Sequence, residues 1–235
     1  MPPNHADSAL RIALLEDDAM LRERILVPGL ANFGFAVVGT ETAAALHHHL
    51  NTQPVDMVVL DVGLPDQDGF TVARNVRATY PEIGIVMLTG RGTTPDRVRG
   101  LSEGADAYLS KPVEIELLAA TLHSLARRLR GQTAQAAPKR WHLDGNGWCL
   151  VSPSGRNVAL TRTERRVVER LTAASGQLVT RDELIATLTD NVYDFDAHRL
   201  DSLIYRLRRK VADSCGEALP LVAVHGEGYV LNDAG

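Results

Sequence analysis

The sequence predicts two domains of different fold class: an α/β domain with a doubly wound, five-stranded parallel sheet, followed by a smaller α+β domain. Three observations support this prediction. The chain has 235 residues, which is long enough for two modest domains. Its first half repeats an apolar run followed by an amphipathic stretch five times. A small, polar segment then separates this half from a region of short alternating runs and turn residues.

The first domain, residues 9–127, is predicted from the five strand–helix repeats. Short apolar runs indicate strands at residues 11–15, 35–39, 55–60, 83–88 and 106–109. Amphipathic stretches indicate helices at residues 18–32, 42–50, 69–79, 94–103 and 113–130. Strands that alternate with helices form a parallel sheet covered on both faces. Because Pro28-Gly29 interrupts the first helical pattern, we expect the first helix to kink or to end early there.

The second domain, residues 140–235, follows a predicted flexible linker at residues 128–139. Between residues 141 and 160, turn signals separate short alternating segments that indicate strands. Helices are predicted at about residues 162–174, 181–188 and 197–213, and a hairpin at residues 221–224 and 229–231. Short strands, three helices and a terminal hairpin are typical of a winged helix-turn-helix domain.

The composition is that of an ordinary globular protein, with 45% apolar and 23% charged residues. The net charge of −4 divides unevenly, since residues 1–125 carry 9 Lys/Arg and 16 Asp/Glu, whereas residues 126–235 carry 16 and 13. A basic second half favours a nucleic-acid partner. The two cysteines imply no disulfide framework. The sequence shows neither a signal-peptide pattern nor a long apolar run, so we expect a cytoplasmic protein with no membrane partner.

Chemically reactive side chains follow the predicted strands of the first domain. Glu16 and Asp17 come after the first strand, Asp61 ends the third, Thr89 follows the fourth and Lys111 follows the fifth. Open parallel sheets carry their chemistry at this edge. Clustered carboxylates suit Mg²⁺, which prefers oxygen ligands. The pattern therefore predicts an aspartate that accepts a phosphoryl group beside Mg²⁺, with Lys111 and the Thr89 hydroxyl contacting phosphoryl oxygens.

Four segments carry a resemblance to a known family. They read LEDD at residues 15–18, LDVGLPDQDG at 60–69, LTGR at 88–91 and GADAYLSKP at 104–112. Residues 10–125 resemble a response-regulator receiver domain of the flavodoxin/CheY-like fold, and the whole chain resembles the OmpR/PhoB family of transcription factors. The resemblance implies that Asp61 accepts phosphate from a sensor histidine kinase and that the Gly63 carbonyl joins Glu16, Asp17 and Asp61 around Mg²⁺. It also implies that Thr89 and Tyr108 form a switch pair.

One predicted helix of the second domain is apolar on one face and basic on the opposite face. Its apolar residues recur at helical spacing, as Leu200, Ile204, Leu207 and Val211. The opposite face carries His198, Ser202, Tyr205, Arg206 and Arg209. The resemblance makes this the recognition helix of the family. It implies phosphate contacts from Arg199, Arg208, Arg209 and Lys210, base-edge contacts from Ser202, Tyr205 and Arg206, and a minor-groove contact from His225. It also makes residues 189–197 a candidate contact for RNA polymerase.

The sequence is interpreted as a two-component response regulator rather than an enzyme. We expect phosphorylation of Asp61 to promote a homodimer that binds tandem half-sites in promoter DNA. Ala107, Ala120 and Leu122 stand where the family commonly has charged residues on its dimer face, and we expect an exposed Leu122 there.

Two other classes of function stay open at this point. One is a phosphorylation-independent DNA-binding regulator whose receiver is a constitutive dimerisation module. The other is a hydrolase of the haloacid-dehalogenase type, which also uses an aspartyl nucleophile. That family has a second aspartate two residues after the first, where this chain has Gly63.

Overall fold

The chain forms two compact units, Met1–Thr133 and Ala134–Gly235. The computed structural model describes residues 9–65, 67–90, 104–129, 140–174, 176–189 and 196–232. The helix expected at 94–103 lies outside these residues. So does most of the predicted linker at 128–139 and of the candidate polymerase contact at 189–197. The domain limits that we drew from the sequence stay a prediction.

The first unit contains the predicted five-stranded parallel sheet. Its strands are β1 (Arg11–Leu15), β2 (Ala36–Thr40), β3 (Met57–Asp61), β4 (Gly84–Thr89) and β5 (Ala107–Ser110). They lie in the order β2-β1-β3-β4-β5, with every pairing parallel. This is the order of a doubly wound sheet whose chain reverses direction between β1 and β3. Every residue of β3 and β4 is buried, because helices cover both faces.

Four described helices pack on this sheet. They are α1, with a π-helical part Leu21–Leu26 and an α-helical part Val27–Asn32, then α2 (Ala43–Thr52), α3 (Gly69–Thr79) and α4 (Ile115–Leu129). Residues of α2 and α3 join one apolar cluster with β1, β3 and β4. A Cβ on Gly29 of α1 would lie 3.1 Å from the Ile115 side chain, so α1 and α4 meet closely.

The structure corrects two expectations for these helices. Helix α1 does not end early at Pro28-Gly29 but runs to Asn32, while the alternative of a kink there stays a prediction. The departure from α-helical geometry lies just before the proline, at Leu21–Leu26. Leu122 is fully buried rather than exposed. It shares the inner face of α4 with Leu118 and Leu125, at the i, i+4 and i+7 spacing of a core stripe.

The second unit consists of two small antiparallel sheets and three described helices. One sheet is a meander of β6 (His142–Leu143), β7 (Cys149–Val151) and β8 (Asn157–Ala159). The other joins β9 (Val179–Thr180) to the hairpin β10 (Leu221–Val224) and β11 (Gly228–Leu231) in the order β10-β11-β9. The helices are α5 (Arg162–Ala173), α6 (Arg181–Ala186) and α7 (Ala197–Cys215). This arrangement confirms the predicted winged helix-turn-helix fold.

Helices α5 and α6 each begin at a capping box. The side chains of Thr161 and Thr180 each accept a hydrogen bond from the backbone N–H of the glutamate three residues later. In return, each glutamate side chain accepts a hydrogen bond from the threonine backbone N–H. Leu200, Ile204, Leu207 and Val211 of α7 are buried in the core, as their spacing predicts. Across the described parts of both units, no helix is long and apolar enough to span a membrane.

Candidate phosphorylation site and nucleic-acid interface

The reactive side chains of the first unit meet at the carboxyl edge of its sheet. Asp61 is the last residue of β3 and Thr89 the last of β4, and these strands are adjacent. Glu16 follows β1 directly, and Lys111 follows β5. Because all these strands run parallel, their carboxyl ends lie on one edge, and the fold brings together residues that are 95 positions apart in sequence.

Three carboxylates form a cluster at this edge. One carboxylate oxygen from each of Glu16, Asp17 and Asp61 lies within 4.8 Å of the others. Glu16 and Asp61 are buried, whereas Asp17 is half-buried and gives the cluster access to solvent. Oxygen donors from separate side chains, with room for water on one side, are what Mg²⁺ takes in proteins. These three residues therefore fit a magnesium ion.

Lys111 lies between two of the carboxylates. Its Nζ is 2.6 Å from Glu16 Oε2 and 2.9 Å from Asp61 Oδ2. Burial disfavours the ammonium form, but the hydrogen bonds and charges of the two carboxylates outweigh it, so the pKa of Lys111 is raised. Burial, with repulsion from Asp61, also raises the pKa of Glu16 in spite of the bond from Lys111. Three carboxylates against one ammonium leave two negative charges, which a divalent cation would neutralise.

The backbone of Gly63 bonds the Asp61 side chain, and that of Gly69 packs closely against the Asp61 backbone. The Gly63 N–H donates to Asp61 Oδ1 over 3.2 Å. A Cβ on Gly69 would lie 2.4 Å from the Asp61 carbonyl oxygen and 2.7 Å from Val62 Cα. Only glycine fits at this start of α3, a requirement that we did not predict from the sequence. The role of the Gly63 carbonyl towards Mg²⁺ stays a prediction.

Thr89 and Tyr108 lie on adjacent strands next to this cluster. Thr89 is buried at the end of β4, and the Tyr108 ring packs, half-buried, against the apolar cluster of α2 and α3. The Tyr108 hydroxyl is buried, with no hydrogen-bond partner among the described residues. Their role as a switch pair stays a prediction.

Helix α7 presents a polar face to solvent. His198, Arg199, Ser202, Tyr205, Arg206 and Arg209 are all exposed on it. Tyr205 is 65% exposed, which is high for an aromatic side chain in a folded domain. His225 is exposed in the turn between β10 and β11. These residues have the exposure and composition of a surface that reads DNA.

Two of the predicted phosphate contacts have other partners in the structure. Arg208 donates to the carbonyl of Leu221 at the start of β10. Lys210 Nζ lies 2.9 Å from Glu164 Oε2 of α5, with side chains only 15% and 9% exposed. Both residues lie towards the inner side of α7, so their charges hold the helix to its own domain. The sequence showed their charge but not which side of the helix they occupy.

A side-chain network at the β10–β11 hairpin, which is the wing of this domain, was not predicted from the sequence. Asp201 of α7 accepts a hydrogen bond from the Tyr229 hydroxyl over 2.6 Å and pairs with Arg181 over 2.8 Å. The hydrogen bond from Tyr229 is the main reason why the pKa of Asp201 lies below its ordinary value. The network joins α6, α7 and β11. The sequence signal was that Asp201 is the only acid in the basic part of α7.

Comparisons with known proteins agree with both units. Residues 12–123 match the family model of the response regulator receiver domain, and residues 155–231 match the model described as transcriptional regulatory protein, C terminal. The chain is 33% identical to the transcriptional regulatory protein AruR of Pseudomonas aeruginosa, over 95% of this chain and 96% of that protein. It is also 33% identical to the two-component response regulator PhoP of the same organism, over 95% and 99%.

A solved structure supports the fold of the first unit. The CheY-like receiver domain protein of Methanospirillum hungatei is 24% identical and superposes with a TM-score of 0.50, covering 54% of this chain and all of its own. At this identity the likeness concerns the fold alone.

Proposed function

Since the chain belongs to the OmpR/PhoB family of two-component response regulators, which control transcription, we propose that Asp61 is its phosphoacceptor and that Mg²⁺ is required for the transfer. The observation that carries this proposal is the cluster of Glu16, Asp17 and Asp61 with Lys111 at one sheet edge. The donor is a phosphohistidine of a sensor histidine kinase, the partner that a receiver domain implies.

In the transfer, an Asp61 carboxylate oxygen forms a bond to phosphorus while the bond from phosphorus to the donor histidine nitrogen breaks. Glu16, Asp17 and Asp61 would hold Mg²⁺, which would supply charge neutralisation for the phosphoryl group. Lys111 leaves its pairing with the Asp61 carboxylate and binds a phosphoryl oxygen as a point charge. The Gly63 N–H keeps the attacking carboxylate in place.

The new phosphoryl group biases a two-state receiver. The Thr89 hydroxyl contacts a phosphoryl oxygen, and Tyr108 moves into the space that Thr89 leaves. This shifts a pre-existing equilibrium towards a form that dimerises. Two DNA-binding units on one dimer then bind tandem half-sites with an affinity that neither reaches alone.

The DNA-contacting surface of each unit is the exposed face of α7 with the wing turn. Arg199 and Arg209 contact phosphates, and Ser202, Tyr205 and Arg206 contact base edges. His198 lies on the same exposed face of α7, and His225 reaches the minor groove. We leave Arg208 and Lys210 out of this surface because of their internal partners. Residues 189–197 remain our candidate contact for RNA polymerase. In this proposal the protein acts in the cytoplasm as a regulator rather than as an enzyme.

The alternative of a phosphorylation-independent regulator rests on the altered dimer face at Ala107, Ala120 and Leu122, and the complete acidic site argues against it. The burial of Leu122 withdraws that residue from the argument, whereas Ala107 and Ala120 are partly exposed.

Mass spectrometry after incubation with Mg²⁺ and a small phosphodonor tests the proposal. We expect one phosphoryl group on the chain, located at Asp61, and none on the Asp61→Asn variant. DNA selected from a random pool with the phosphorylated protein then serves as the probe in mobility-shift assays. Equal DNA affinity with and without phosphodonor would contradict the regulatory part of the proposal while leaving the chemistry intact.

A further inference from the structure

The buried guanidinium of Arg22 bonds the backbone of two residues of the acidic cluster. The residue is 7% exposed, and its Nη1 donates to the carbonyl oxygen of Glu16 over 2.6 Å and to that of Asp17 over 3.4 Å. Its Nε donates to the Glu23 carboxylate over 2.9 Å. The two carbonyl groups that it bonds therefore belong to the two residues that offer carboxylates to the cluster from the end of β1.

Burying a guanidinium is costly unless its donors are satisfied and its charge is paired. Here the Glu23 carboxylate pairs with the charge, and the carbonyl oxygens of Glu16 and Asp17 accept hydrogen bonds from Nη1. These hydrogen bonds fix the two carbonyl groups in return. A carbonyl held in one direction fixes the peptide plane, and with it the directions in which the Glu16 and Asp17 side chains leave the backbone. Arg22 itself lies in the π-helical turns of α1, a geometry that is often found at functional sites.

We propose that Arg22 is a positioning residue for the metal site: it holds Glu16 and Asp17 in the geometry that binds Mg²⁺. This rests on the proposed function, because it concerns the same carboxylates. Arg22 touches neither the ion nor the phosphoryl group and acts only through the backbone of its two neighbours. Groups that support metal ligands in this way typically change metal affinity on the order of 10-fold or more when they are removed.

Gly39 of β2 gives an independent way to perturb Arg22. A Cβ at Gly39 would lie 3.0 Å from both Cγ and Cδ of Arg22 and 3.3 Å from Glu23 Oε1. Its φ lies outside the left-handed region, so alanine fits the backbone there. The arginine stem therefore lies across the face of this glycine, and Gly39→Ala displaces Arg22 without touching any carboxylate of the cluster.

Arg77 provides a matched control. It is also partly buried in the receiver and bonds the carbonyls of Gly104, Pro81 and Ile83, at 3.0, 2.7 and 2.9 Å, as well as the Asp106 carboxylate. None of these groups belongs to the cluster. Arg77→Met thus removes a comparable set of bonds and should lower stability while leaving the metal site unchanged.

The test is a titration of the full chain with Mg²⁺ alone, followed by NMR chemical shifts, for the wild type and for Arg22→Met, Gly39→Ala and Arg77→Met. We expect the dissociation constant for Mg²⁺ to rise about 10-fold for Arg22→Met, to rise in the same direction for Gly39→Ala, and to stay unchanged for Arg77→Met. Gly39→Ala should add nothing in the Arg22→Met background, since both act through one side chain. Arg22→Lys, which keeps the charge, should recover part of the affinity.

A second readout separates positioning from general damage. At raised Mg²⁺ concentrations, phosphorylation of Arg22→Met by a small phosphodonor should approach the wild-type rate. Wild-type Mg²⁺ affinity in folded Arg22→Met, or in Gly39→Ala if the former does not fold, overturns the inference. A wild-type chain that neither binds Mg²⁺ nor takes up phosphate overturns the proposed function itself.

Discussion

Replacing Tyr229 with phenylalanine removes one hydroxyl from the network that joins the wing to α7. The ring is 5% exposed, so Phe keeps the packing, while Asp201 loses a hydrogen bond of 2.6 Å. Arg181 still pairs with Asp201 over 2.8 Å. The change therefore removes the contacts of a single hydroxyl from the attachment of β11 to α7, and for Asp201 the main one is this hydrogen bond.

The size of the effect follows from the exposure of the acceptor. A hydrogen bond to a charged group contributes about 1.5–3 kcal/mol when it is buried. The Asp201 side chain is 47% exposed, so water replaces part of the lost bond, and we expect a loss of about 1 kcal/mol. For a domain of this size that lowers the melting temperature by about 4–8 °C.

The loss should depend on pH in a defined direction. The pKa of Asp201 is lowered, first by the bond from Tyr229, so the folded form prefers the carboxylate. The stabilisation is fully present above the unfolded pKa of about 3.9 and disappears as pH falls through the lower folded pKa. The difference between wild type and Tyr229→Phe should be constant near neutral pH and shrink below about pH 4.

Tryptophan fluorescence provides the assay, because both tryptophans, Trp141 and Trp148, lie in the second unit. Thermal unfolding followed by this signal reports that unit selectively. The matched control is Tyr205→Phe, whose ring is 65% exposed and whose loss of a hydroxyl should leave the melting temperature unchanged. Equal melting temperatures of Tyr229→Phe and wild type at neutral pH would refute the reasoning, as would a difference that persists unchanged in acid.

Three further predictions concern single side chains. Gly69→Ala forces a Cβ to within 2.4 Å of the Asp61 carbonyl oxygen, so phosphorylation of Asp61 by a small phosphodonor should slow about 10-fold. An unchanged phosphorylation rate would contradict the close approach of Gly69 to Asp61. Lys111→Met removes the ammonium that competes with Mg²⁺ for the Glu16 and Asp61 oxygens. Mg²⁺ should therefore bind more tightly in an NMR titration, while phosphorylation slows. Weaker Mg²⁺ binding would argue against this competition. Lys210→Met should lower the melting temperature of the second unit, because Lys210 pairs with Glu164 inside it. Arg209→Met should leave the melting temperature unchanged and reduce the salt dependence of DNA binding by about one phosphate contact. The reverse pattern would reject the assignment of Lys210 to the inner face and Arg209 to the outer face of α7.

The sequence predicted the parts of the fold that depend on periodicity. All five receiver strands lie within two residues of their predicted positions, because buried parallel strands are continuous apolar runs. The strand β9 was missed because it has only two residues and is defined by its pairing with β11. Gly228 explains that pairing, since a Cβ there would lie 2.0 Å from the Val179 carbonyl.

Side-chain direction was less accessible from the sequence. The acidic cluster could be predicted because each of its residues ends or follows a strand, and parallel strands share an edge. By contrast, Leu122 was placed on the wrong side of α4, and the ion pair between Lys210 and Glu164 of another helix was not predicted. Such differences arise where a partner from a distant segment decides which way a side chain points. Arg22 was overlooked for the same reason, since its partners are backbone carbonyls that carry no residue-type signal.

Light scattering of the full chain with Mg²⁺ and beryllofluoride, a mimic of the phosphoryl group, tests the proposed switch most directly. We predict that the wild-type mass changes from monomer to dimer, and that Asp61→Asn stays monomeric under the same conditions. A wild-type mass that does not respond to beryllofluoride, or an Asp61→Asn variant that dimerises equally, would contradict control of this regulator by phosphorylation of Asp61.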